Sequence, residues 1–180
     1  MARLSIGIIA AWAIFTSAFA ADRLAEVERL DREYAAEAEK YFAAPIPEES
    51  TTAQRIARFE AWPAWKYIPK FLAIAEARPD DEAAFRSCQW IIDRTFNVGN
   101  DDAQIFGADQ KAWQILQAHH TDRDDLPLLC LHAVGYFGPA QEHFLRGLFT
   151  RESLSREKKA FASMALAELL AHKHEYVESL

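Results

Sequence analysis

The residues able to do chemistry are few. Cys88 and Cys130 lie 42 positions apart, so the 180-residue chain holds no C-x-x-C pair and no thioredoxin-type dithiol of its own. A thiol activated by a neighbouring base is the other chemistry a cysteine supports. His132 follows Cys130 by two positions, but residues two apart on a helix point to different sides. His119 and His120 run into Asp122, Asp124 and Asp125, and His172 and His174 form a second pair. Neither pair has the spacing of a zinc-binding H-E-x-x-H. The first reads as histidines favoured by a helix C-terminal dipole, followed by a solvated turn. Asn100, Asp101, Asp102 and Asp109 approximate a calcium loop, without its sixth-position glycine or twelfth-position glutamate. There is no G-x-S-x-G, Walker loop or dinucleotide fingerprint. The expectation is a chain that is not an enzyme and holds no catalytic, cofactor or metal site.

One cluster suggests binding instead. Trp62, Trp65 and Tyr67 gather beside Pro63 and Pro69. Exposed on a rigid turn, they would form an interaction surface for a peptide or glycan. Packed inward, they would plug the gap between a first helix and the rest of the fold, the commoner use of large aromatics. His143 and Arg146 read as surface residues of their helix.

These residues need elements to position them, and composition bounds what those are. The chain is 51% hydrophobic and 26% charged, with only 6 Gly and 7 Pro, which excludes collagen-like and disordered classes. Its length suits a domain with a real core. A net charge of −7 argues against nucleic acid as a partner.

Residues 1–20 read as a secretory signal peptide. Arg3 supplies the charged start, Ile6 to Phe15 the apolar run, and Ala18-Phe19-Ala20 the small-residue cleavage site, with the cut between Ala20 and Ala21. The apolar stretch, broken by Thr16 and Ser17, falls short of the roughly 20 residues of a spanning helix. Only an uncleaved signal would make it a membrane anchor. Cleavage removes Arg3, the one charged residue of the segment, and so takes the net charge from −7 to −8. The expected location is the periplasm or the cell exterior, where a disulfide is permitted but not required.

The mature chain reads as helices throughout. Residues 21–44 are expected to form an N-terminal helix, with Leu24, Val27, Leu30, Tyr34, Ala38 and Tyr41 on its buried stripe. Residues 45–50, around Pro45-Ile46-Pro47, read as a linker. Residues 51–180 then form a helical-repeat domain. Thr51 and Gln54 fit a capping box. Asp80 is the expected cap of a helix containing Phe85, Cys88, Gln89, Ile92 and Phe96, closed at 97–100. Further helices are expected over 108–120, with Trp113, Leu116 and Gln117 inward, and over 126–134. Gly138-Pro139 starts another, burying Phe144, Leu145, Leu148 and Phe149. Ser155 caps the last, burying Phe161, Met164, Ala165, Leu166 and Leu169.

The helices recur as pairs. Residues 71–92 lie over 113–134 at an offset of 42, matching Phe71 with Trp113, Ile74 with Leu116, Pro79 with Thr121 and Cys88 with Cys130. A looser third copy begins near Phe144 and brings Ser163 close to the cysteine position. Stacked hairpins bury a continuous apolar face that one hairpin cannot. The expected fold is all-α: stacked antiparallel helix hairpins, in a right-handed solenoid of tetratricopeptide or HEAT type, behind a long N-terminal helix. Equivalent residues on packed helices sit about 8–10 Å apart, beyond the roughly 7 Å a disulfide tolerates between Cα atoms, so two buried free thiols are expected.

Residues 67–76, 79–81, 89–92, 118–120, 128–131, 140–146 and 165–170 together resemble the helical N-terminal region of secreted bacterial redoxin (thioredoxin-like, TlpA-type) proteins, over roughly 55–172. In that family the region precedes a thioredoxin fold that carries the redox cysteines. The sequence ends at Leu180, where such a domain would begin. The resemblance therefore implies an accessory or docking module with no reductase activity of its own. The functional expectation is an exported, non-enzymatic interaction module for a protein or peptide, a redoxin-type protein among the partners; the alternative is an accessory helical domain of a redoxin or thiol–disulfide system, with the redox chemistry on a separate or missing thioredoxin domain.

Overall fold

The structure is a computed structural model that describes residues 5–47, 49–95, 103–135 and 138–178. Every regular element among them is helical: α1 (Ser5–Ala43), α2 (Thr52–Glu60), α3 (Ala64–Ala77), α4 (Glu82–Thr95), α5 (Ala103–His119), α6 (Leu126–Val134), α7 (Pro139–Phe149) and α8 (Arg156–Glu178). The all-α, repeat-like class read from periodicity is the class observed. The chain forms two compact units, 1–87 and 88–180.

In the first unit α1 packs along α3. Val27, Leu30, Tyr34 and Ala38 are buried, as are Tyr67, Ile68, Phe71 and Ala75 of α3. Tyr34 meets Tyr67 edge to face, with ring centroids 5.8 Å apart. Polar ties at both ends fix an antiparallel register. Arg23 donates to the Ile74 carbonyl at 2.8 Å, while Glu37 accepts from the Tyr67 hydroxyl at 2.9 Å. The mid-portion of α1 is thus part of a core rather than a free arm. α1 begins at Ser5 and runs unbroken through the segment read as a signal, with Ala20 and Ala21 exposed. Among the described residues no helix is long and apolar enough to cross a membrane.

Local chemistry sets most helix ends. Thr51 accepts from the Gln54 N–H while the Gln54 side chain accepts from the Thr51 N–H at 2.8 Å, completing the capping box. Pro69 lies beyond the first turn of α3 and has no N–H for the Trp65 carbonyl. The cap of α4 is Asp81, not Asp80: its Oδ1 accepts the Ala84 N–H at 2.8 Å. Asp81 is held there by Arg23, whose Nε donates to its Oδ2 at 2.7 Å.

In the second unit, α5 packs on α7 and α6 on α8, while α8 also packs on α7. First helix lies on first helix and second on second, as in stacked hairpins. Trp113, Leu116, Leu126, Leu129, Phe144, Leu145, Leu148 and Leu169 fill the core. Equivalent turns are tied together: Arg151 donates to the carbonyls of Gln117 at 2.6 Å and Ala118 at 2.8 Å, and Lys158 to that of Asp122 at 2.6 Å.

Several details differ from the sequence reading. α5 starts at Ala103 rather than 108. Phe161 and Met164 are exposed, and Ala162 takes the inward position. Ser163 is exposed too, its hydroxyl donating to the Lys159 carbonyl at 3.0 Å, so it does not occupy a third cysteine slot. Of the offset pairs, Phe71 and Trp113 are both buried, as are Cys88 and Cys130, while Ile74 is only half-buried beside a buried Leu116. Phe96, 97–100, Asp101 and Asp102 lie outside the described residues.

Candidate functional site

The aromatics singled out by sequence divide by burial. Tyr67 is 1% exposed and belongs to the core. Trp62 and Trp65 are half-buried. Trp65 stands edge-on to Phe59 and to Trp62, at 5.0 and 5.1 Å between centroids, and donates its indole N–H to the Phe59 carbonyl at 2.6 Å. The three close the corner between α2 and α3, with Phe59 exposed and both indoles half-buried.

The thiols are poor nucleophiles. Cys88 and Cys130 are free and buried, and burial pushes both thiols up to about 12. His132 faces Asp93, Nδ1 to Oδ1 at 3.4 Å, rather than the Cys130 thiol. His119 is exposed and His120 buried, and no group of three His, Cys, Asp or Glu able to hold a metal occurs among the described residues. Asp109, read as a stray calcium-loop acid, is a buried carboxyl. It accepts from the Thr95 hydroxyl at 3.1 Å and from Gln141 Nε2 at 3.0 Å. Burial raises its pKa, against the lowering effect of these bonds and of the Trp113 indole N–H.

A site that sequence reading missed lies between α5 and α7. Gln110, Gln114 and Gln117 stand at i, i+4 and i+7 on α5, a spacing that puts them on one face. His143 and Gly147 of α7 and its C-cap residue Thr150 repeat that spacing. These residues line two adjoining cavities of about 210 and 370 Å³, which share Gln114 and Gln117 and so form one groove. Trp113 lines the smaller cavity and Arg151 the larger.

Gly147 leaves room for the Gln117 side chain. A Cβ there would stand 1.8 Å from Gln117 Nε2 and 2.9 Å from its Cδ. The lining contains no carboxylate, although the chain carries 27 acidic residues. Arg151 is half-buried, and its Nη1 is spent on the Gln117 carbonyl and the Thr121 hydroxyl oxygen. Its Nη2 gives one hydrogen to the Ala118 carbonyl. Of the five guanidinium donors, Nε–H and one Nη2–H therefore remain. Such a groove offers amide donors and acceptors without net negative charge. Its sequence signal was a glutamine row in one hairpin matched by a row containing glycine in the next. Compared with protein-family models, curated proteins and solved structures, the chain finds no match.

Proposed function

We propose that the chain is an exported, non-enzymatic α-helical repeat module that binds a protein or peptide segment in the α5–α7 groove. The observation that carries this reading is the open, carboxylate-free groove walled by Gln110, Gln114 and Gln117 on one side and by His143, Gly147 and Thr150 on the other. Stacked hairpins present such grooves because neighbouring first helices diverge at their solvent edges. The buried, raised thiols of Cys88 and Cys130 suit a structural role. In a redoxin-linked role, reactive cysteines would therefore have to be supplied by another domain or protein.

Export rests on the signal pattern of 1–20. Intact mass of the protein from the exported fraction is expected to give a chain starting at Ala21; a chain starting at Met1 overturns it. Binding is tested with a photo-reactive amino acid placed at position 114 or, as control, at the exposed position 163. An exported-protein extract is expected to yield one discrete cross-linked segment from position 114 alone. Equal capture from both positions overturns the reading.

A further inference from the structure

We infer that the groove's occupant is an uncharged, extended peptide segment gripped through its backbone by the side-chain amides of Gln110, Gln114 and Gln117, an inference that rests on the interaction-module reading above. A glutamine amide presents one C=O and one NH₂, the same pairing set as a peptide unit, so each can form two hydrogen bonds with a backbone. The Cβ atoms that carry the three amides follow one another at about 5–6 Å on the helix face. Peptide units on one side of an extended chain recur every two residues, about 6.6 Å. The two repeats are close enough for long, jointed glutamines to take successive units of one strand.

The availability of these groups supports the assignment. None of the three amides has a hydrogen-bond partner among the described residues, while the Thr150 hydroxyl and three of the five Arg151 donors are committed. Thr150 donates its hydroxyl to the Gly147 carbonyl at 2.9 Å, and Arg151 spends three donors on the end of α5 and its following turn. A row of glutamines kept only for solvation has no need of a residue without a side chain opposite it. Here any Cβ at position 147 would displace Gln117.

Charge disfavours charged ligands. No carboxylate lines the groove to receive a lysine or arginine. The charge of Arg151 lies at the C-terminal ends of α5 and α7, whose dipoles oppose it. Its two remaining donors suit carbonyl oxygens, and a carboxylate would face two negative helix ends. A charged side chain over the groove would lose hydration without gaining a full ion pair. Recognition therefore reads backbone and extension, and tolerates many uncharged sequences.

The probe is an acetylated, amidated hexapeptide of Ala, Ser, Thr and Val, titrated into isotope-labelled full chain while the glutamine side-chain NH₂ signals are followed. Signals of Gln110, Gln114 and Gln117 are expected to shift. Gln114→Ala is expected to weaken binding about five-fold or more, the worth of one net hydrogen bond, and Gln110→Ala provides a second exposed variant. N-methylation of alternate residues removes backbone donors but keeps every side chain, and is expected to abolish binding. Raising salt from low to high is expected to change affinity less than about two-fold, since no ion pair is screened. Tighter, salt-sensitive binding of the same peptide with a central Asp or Lys overturns the inference and leaves the groove as the site. No glutamine shift, together with a partner cross-linked at position 114, overturns the inference alone; loss of both overturns the underlying reading as well.

Discussion

Arg23 and Asp81, 58 positions apart, meet with Nε 2.7 Å from Oδ2, both side chains about 15% exposed or less. The same aspartate caps α4 through the Ala84 N–H. One carboxylate thereby joins the first turns of the expected mature helix to the start of α4. Burial pushes the Asp81 pKa up, but the Arg23 guanidinium and the Ala84 N–H together outweigh it and hold the carboxyl below its ordinary value.

Arg23→Ala is expected to destabilise the first unit by about 1.5–3 kcal/mol at neutral pH, the range for a hydrogen bond to a charged group. The sign with pH follows from the lowered value. The folded state binds this proton less readily than the unfolded state, so the contribution is fully present above the ordinary carboxyl range. It is lost as pH falls through the lowered folded value. Urea unfolding from neutral to acid pH should show the difference between wild type and variant shrinking. A constant difference would count against the pair.

Asp109 carries the opposite sign. Its folded pKa is raised by burial, so the folded state binds the proton more readily. Ionised Asp109 costs stability above the raised value, and that cost disappears as pH falls below the ordinary carboxyl value of 3.8. Asp109→Asn has no such titration. Its amide oxygen can still accept from Gln141, and its NH₂ can donate to Thr95 Oγ1. Wild type minus Asp109→Asn stability should therefore rise on acidification, and a flat difference would sink the argument. Asp109→Ala strands the Gln141 NH₂ and is expected to cost about 1–3 kcal/mol, a cost that grows on acidification as wild type gains stability and alanine does not titrate.

Features decided within a few residues were legible in the sequence. The Thr51–Gln54 box, the start at Gly138-Pro139 and α6 over Leu126–Val134 all appear as read, because cap and proline geometry are local. Asp80 and Asp81 are equivalent by local rules, and Arg23 decides between them from another helix. Phe161 and Met164 fit the helical period of α8, yet the small Ala162 faces inward beside the expected Ala165, where α6 and α7 pack against that helix. Asp109 looked like a loop acid because its partners, Thr95 and Gln141, come from two other helices. The glutamine row went unread because only the apposition of α7 turns it into a wall. Each miss depends on a contact between elements, which periodicity along one chain does not carry.

The thiols give a direct check on the buried-slot reading. Cys88 is 0% and Cys130 1% exposed, and burial pushes both thiols up to about 12. A thiol-specific disulfide reagent should therefore leave the native protein essentially unmodified and titrate two thiols in denaturant. Intact mass should be the same with and without reductant. Rapid modification of the native chain would place at least one thiol at an accessible surface.

Gly147→Ala separates stability from binding. Alanine in a helix is favoured over glycine by about 1 kcal/mol, and the atom its Cβ meets at 1.8 Å is the far end of the flexible Gln117 side chain. Gln117 can swing away, so thermal stability is expected to change by no more than about 1 kcal/mol in either direction. The cost falls on the groove, because a displaced Gln117 amide no longer continues the row begun by Gln110 and Gln114. Peptide affinity should drop by about five-fold or more, the effect of one lost net hydrogen bond. The Gln117 side-chain signal should shift in the free protein. Unchanged affinity with a shifted Gln117 signal would show that the amide row does not read the ligand; unfolding would show instead that Gln117 cannot yield.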